Sequence, residues 1–215
     1  MDYILDKLYI IPAIVLAFTF HEYAHAKMAD RLGDKTPRFQ GRLTLNPIKH
    51  IDPLGALLIL LVGFGWAKPV QTNPSAYKNY YKDDLKVTLA GPLANLVLGF
   101  LGCLIYGLLV VMQANTEILP IGVFRVLVEV LWAVFSINIS LFIFNLLPVP
   151  GLDGFAILRD IKPNLFYNIQ ESLYRYQNII LLGILLVGSN VIMVPVKFIM
   201  KTIMAIVSSL LGLIF

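Results

Sequence analysis

The chain has 215 residues, 58% hydrophobic and 14% charged, with a mean hydropathy of +0.78. So much apolar surface cannot be hidden inside one water-soluble domain, which excludes a soluble enzyme and makes lipid the solvent. The 17 Lys and Arg against 13 Asp and Glu are scattered through connections and form no aromatic-laced basic stripe, so nucleic acid is not the partner. Cys103 is the only cysteine, which excludes an internal disulfide.

The first apolar run, Leu8 to Phe20, belongs to a span from about Tyr3 to Ala29. Asp2, Asp6 and Lys7 precede it where a leader peptide would carry a positive segment, so it reads as a retained first span. The connection that follows holds Lys27, Arg31, Lys35, Arg38, Arg42 and Lys49, which the positive-inside rule places in the cytoplasm. Leu54 to Phe64 is apolar but only about half the length of a span. With Gly63, Gly65, Pro69 and Pro74 following, it predicts a short re-entrant segment near residues 54–74 with a strand-like edge at Trp66 to Gln71.

A second span, about Leu85 to Met112, leads outward from Lys78, Lys82 and Lys86, and the connection QANTEILP lacks Lys and Arg, as an outer loop should. Val123 to Leu147 returns inward and is stopped by Pro148 and Pro150. Phe155 to Gln177 mixes apolar and charged residues in the manner of an interfacial helix. Two further apolar segments, Asn178 to Val194 and about Ile199 to Phe215, are parted by PVKFIMK. The expected architecture is an all-α polytopic membrane protein of about five to six transmembrane helices, forming one integral-membrane domain over residues 1–215.

Within the first span stands HEYAH, residues 21–25. Residues four apart share a helix face, so His21 and His25 can present both imidazoles to one ion, and Glu22 lies about 100° further round, able to reach a water beside it. This is the H-E-x-x-H arrangement, with two imidazoles for zinc and a carboxylate for general base. In a soluble protein the same five residues could be a solvated helix face. In lipid an ionised group costs on the order of 2.5–3.5 kcal/mol near the bilayer centre, which weighs against unpaired use. A catalytic zinc site takes three protein ligands and an open position. His50, in the basic loop, and Asp153, in irregular chain after Pro150 at the depth of His25, are the candidates for the third.

HEYAH, AGPLAN (residues 90–95) and NLLPVPGLDG (residues 145–154), in that order and each in an apolar segment, together resemble the site-2 proteases, intramembrane zinc metalloproteases. The resemblance covers about residues 8–160. It implies His21, His25 and Asp153 as ligands of one zinc ion, Glu22 as general base, Asn145 as a residue holding substrate or stabilising charge, and a role near the site for Asn95. It also implies that Trp66, Ala67, Lys68, Pro69 and Val70 pair with an extended substrate. Asn95 has an equally good reading as a helix-packing amide beside Gly91 and Ala94.

So read, a catalytic core of about 3–160 is followed by additional membrane helices at about 178–215. The substrate is the transmembrane segment of a single-span protein, cut near the cytoplasmic face of a prokaryotic cell membrane. The rivals are a metal-binding or metal-transporting membrane protein and a catalytically silent scaffold. The first calls for polar residues continuing to the outer face, where the spans are almost wholly apolar; the second conflicts with the intact Glu22.

Overall fold

The computed structural model describes residues 2–62, 65–184 and 189–212. Helix α1 (Asp2–Leu32) is a single 31-residue rod that carries HEYAH in its second half. Gly33, at φ +114°, ends it, and the Asp34 N–H reaches back to the Ala29 carbonyl at 3.0 Å, a Schellman closure that a side chain at position 33 would strain. The polar connection is wound tightly. Asp30 takes two hydrogen bonds from Arg38, at 2.9 and 2.8 Å, and the short α2 (Thr36–Phe39) is begun by Asp34 accepting from the Thr36 N–H.

Helix α3 (Pro53–Val62) has only 10 residues, about 15 Å of rise and half of what a bilayer needs. The chain comes straight back: a Cβ on Gly55 would overlap the Trp66 carbonyl, so the backbone after α3 lies against its own first turn. Residues 65–73 then run extended. Among the described residues no strand forms there; one antiparallel bridge, Ile51 to Ala67, stands where a strand-like edge was expected. Pro69 and Pro74 explain why it grows no further, since each lacks the N–H a ladder requires. Gly63 and Phe64 of the expected re-entrant stretch lie outside the described residues.

Helices α4 (Tyr80–Thr116) and α5 (Ile121–Asn145) form an antiparallel pair with α1 packed across both. After α5 come α6 (Asp153–Ile161), α7 (Pro163–Arg175), α8 (Gln177–Gly183) and α9 (Ser189–Gly212). The break expected at PVKFIMK does not occur, because α9 runs through it with Pro195 inside. Residues 185–188 of the expected span Asn178 to Val194 lie outside the described residues.

By length and apolarity three of the described helices can cross a membrane, at Tyr80–Thr116, Ile121–Asn145 and Val191–Gly212. α1, at 31 residues, is long enough to cross but is not one of the three.

Lipid tails are as apolar as leucine, so these helices are held by close packing. On α4, a Cβ at Gly99 would come within 2.7 Å of Ile139 Cδ1 and one at Gly102 within 2.9 Å of Val134 Cγ1; the two glycines let α5 approach. Cys103, Phe135, Ile139, Val196, Ile203 and Val207 close the core between α4, α5 and α9. Phe135, 1% exposed, is its largest member. Phe135→Ala should therefore lower unfolding free energy in mixed micelles by about 3–5 kcal/mol. A change under about 1 kcal/mol in SDS titration would mean that α9 is not packed there.

Candidate metal centre

Three elements deliver the site. α1 presents His21 and His25, one turn apart on its buried face. The Pro-Val-Pro-Gly turn after α5, with Gly151 at φ +92°, brings Asp153 in as the first residue of α6. Gly154 packs so closely on the carbonyls of Leu146 and Leu147 that a Cβ there would overlap both. The result is a compact donor triangle: His21 Nε2 to His25 Nε2, 3.0 Å; His21 Nε2 to Asp153 Oδ2, 3.3 Å; His25 Nε2 to Asp153 Oδ1, 3.4 Å.

The second nitrogen of each imidazole fixes its tautomer. His21 Nδ1 donates to Asn95 Oδ1 at 2.6 Å, and that oxygen is identified as the acceptor because Asn95 Nδ2 donates to Asn138 Oδ1 at 2.8 Å and to the Ala17 carbonyl at 3.2 Å. His25 Nδ1 donates to the Val87 carbonyl at 2.8 Å. With both Nδ1 atoms protonated in the neutral rings, the two Nε2 lone pairs face one another. Asp153 Oδ2 is buried and has no hydrogen-bond partner.

Such a set repels itself unless a cation stands between the members. Donors at about 2.0–2.1 Å around a tetrahedral ion lie about 3.3–3.4 Å apart, so the triangle has the size of three tetrahedral corners, and imidazole with carboxylate suits zinc. Among the described residues this is the one His, Cys, Asp and Glu group arranged to hold a metal.

Glu22 is buried beside the triangle, and its Oε2 accepts the Val70 N–H at 2.7 Å. The extended segment carrying Val70 is pinned along its length. Lys68 N–H donates to the His50 carbonyl at 2.9 Å, the Lys68 carbonyl accepts from Arg42, and Asn73 N–H donates to Asp34 at 2.7 Å. Trp66, Ala67, Pro69 and Val70 line a cavity of about 480 Å³ together with the metal triangle; Lys68 does not. Asn145 lines the same cavity, with Nδ2 on the Leu141 carbonyl at 3.0 Å.

His50 is not a ligand. It is fully buried with Nε2 on the Thr44 carbonyl at 2.7 Å, away from the triangle, and burial pushes its pKa down. Asn95 ties α4 to both α1 and α5 through one amide, bonded to His21, Ala17 and Asn138.

Two contributors escape sequence reading. Asn138 is fully buried on α5 and backs Asn95; an amide mid-span was its signal. Gly91 matters for what it lacks: a Cβ there would lie 2.7 Å from His21 Nε2 and overlap His25.

The fold and this centre define a polytopic membrane protein with a His-His-Asp metal site built into its helix bundle. The chain belongs to peptidase family M50, the site-2 protease family, whose model matches residues 9–188. It is 44% identical to YwhC of Bacillus subtilis over 157 residues, 72% of this chain and 69% of that protein. It is 31% identical to Rip2 of Mycobacterium tuberculosis over 173 residues, 76% and 60% of the two chains, and 29% identical to Rip2 of Mycolicibacterium smegmatis over 186 residues, 80% and 63%. The names of all three carry the words zinc metalloprotease. The matches thus span about two thirds of these relatives' length. No solved structure matches the chain.

Loss of an outer partner of a metal-bound imidazole typically costs 10–100-fold in metal affinity. Asn95→Ala should do so by freeing His21, and Gly91→Val should abolish binding by displacing both rings. Competition with a chromophoric chelator reads both; unchanged affinity in Gly91→Val would remove the triangle from consideration.

Proposed function

We propose that the chain is a zinc-dependent endopeptidase that cuts single-span membrane proteins within their transmembrane segment, close to the cytoplasmic face of a prokaryotic cell membrane. The observation that carries this reading is Glu22, seated beside a two-histidine, one-aspartate centre and tied by its Oε2 to an extended segment of the cavity wall. One zinc per chain would be held by His21 Nε2, His25 Nε2 and the Asp153 carboxylate. When bound, zinc supplies Lewis acidity, polarising the scissile carbonyl and acidifying water.

Glu22 is the general base. With Oε2 held by Val70, Oε1 is the oxygen that takes a proton from the attacking water and passes it to the leaving amine. The substrate must be unwound first, because a peptide bond in a membrane helix is covered by its own hydrogen bonds. Lys68 is bonded inward through both backbone groups, so the backbone of Ala67 and the carbonyl of Pro69 point to the other edge, where an unwound substrate pairs as an added strand. Asn145 anchors that substrate with its amide.

α1 is a further span in this reading. Its 31 residues rise about 46 Å, and His21, Glu22 and His25 within it are buried in protein instead of facing lipid. With α4, α5 and α9 this makes four crossings among the described residues, fewer than the five to six of the sequence reading. α3 and the returning chain enter from the cytoplasmic side and leave by it.

Glu22→Gln should reduce cleavage of a reconstituted single-span reporter by about 10²–10⁴-fold while zinc content stays at the parent level. Full cleavage by a zinc-loaded Glu22→Gln protein would rule out this base. For orientation, single cysteines should be labelled from the cytoplasm at position 38 and from outside at position 115; the reverse pattern inverts the topology.

A further inference from the structure

α6 is nine residues long, too short to be a stable helix alone, yet it must hold Asp153 within a few tenths of an ångström of two imidazoles. Its fixing point lies six residues on. Arg159 donates through Nη2 to Asp84 of α4 and through Nε, at 2.8 Å, to Asp160 of its own helix, while its guanidinium carbon stands 5.9 Å from the Tyr80 ring centre. Asp84 and Asp160 are buried, and Asp160 Oδ2 has no hydrogen-bond partner. One guanidinium therefore bridges two neighbouring acidic side chains on the two helices that meet there.

Asp84 has a particular place on α4. Residues 84, 87, 91 and 95 follow at intervals of three, four and four, which is one helix face. Val87 holds His25 by its carbonyl, Gly91 makes room for both imidazoles and Asn95 holds His21. Asp84 extends the same strip to the third ligand's helix. Arg159 and Asp84 also line the metal cavity.

We infer that Arg159, bridging Asp84 and Asp160, is a positioning residue that registers α6 on α4 and so sets where the Asp153 carboxylate stands in the metal centre. The inference rests on the zinc-centre reading above. Without the guanidinium, two buried carboxylates would face each other uncompensated and loosen the last turn of α6 from α4, letting the short helix and the Asp153 at its start shift, so the coordination would change even though no ligand is altered. Lysine cannot span both acids, because it offers a point charge where arginine offers a planar fork.

The test uses the full-length chain in detergent, stripped by chelator and titrated with cobalt(II), whose visible d–d bands report coordination number. The parent should bind one cobalt with intense tetrahedral bands, and His25→Ala should lose them. Arg159→Met should bind cobalt 10–100-fold more weakly with weaker, shifted bands at unchanged helical circular dichroism, and Arg159→Lys should fall between. Exchange of the pair, Asp84→Arg with Arg159→Asp, should recover the parent bands.

A clamp that only stabilises the fold would lower the melting temperature and leave bands and affinity alone, and that result overturns the inference. If Arg159→Met does not fold, Arg159→Lys decides by the same criterion. A parent that takes up no cobalt, or a His25→Ala protein that binds as the parent does, overturns the zinc-centre reading itself and the clamp with it.

Discussion

Two imidazole nitrogens 3.0 Å apart, each left with a bare lone pair by the hydrogen bond behind it, are the constraint around which this molecule is arranged. Neutral side chains placed so repel. They stay there because Asn95 and the Val87 carbonyl hold the far sides of the rings and a carboxylate completes a triangle of cation size. In an apolar medium each of these groups needs a partner, and the partners come from helices distant in the chain.

α4 is the element that makes this possible. One of its faces carries an acid, a backbone carbonyl that accepts from His25, a missing side chain and an amide, and between them they touch or make room for every metal-binding residue or its helix. Higher up, the same helix becomes a packing surface, with Gly99 and Gly102 receiving Ile139 and Val134 of α5. Polar registration at the site and close apolar contact beyond it thus lie along one rod. Displacing α4 would disturb catalysis and folding together.

The extended segment after α3 shows a different economy. It makes no sheet, yet its backbone is tied at residues 68, 70 and 73 to a carbonyl, an arginine and two buried carboxylates. One of those carboxylates is Glu22. The wall of the cavity and the residue given the role of base are therefore mechanically one unit, and whatever moves the segment also moves the proton acceptor.

The sequence by itself determined the medium, through composition, and the pairing of His21 with His25, since a spacing of four fixes one helix face whatever else is present. It also placed the main helices, because apolar length and proline stops act locally; it misjudged the last one, where PVKFIMK stays helical since Pro195 is tolerated within a packed α9. The motif resemblance already pointed to Asp153 where spacing alone left His50 beside it, but only the tertiary structure brought Asp153 to the two histidines, seated Glu22 under Val70, and gave Asn138, Gly91 and Arg159 their places. The reason is physical. Those relations join residues 43 to 132 positions apart, and spacing along a chain carries no information about which carbonyl, amide or empty Cβ position a distant helix will present.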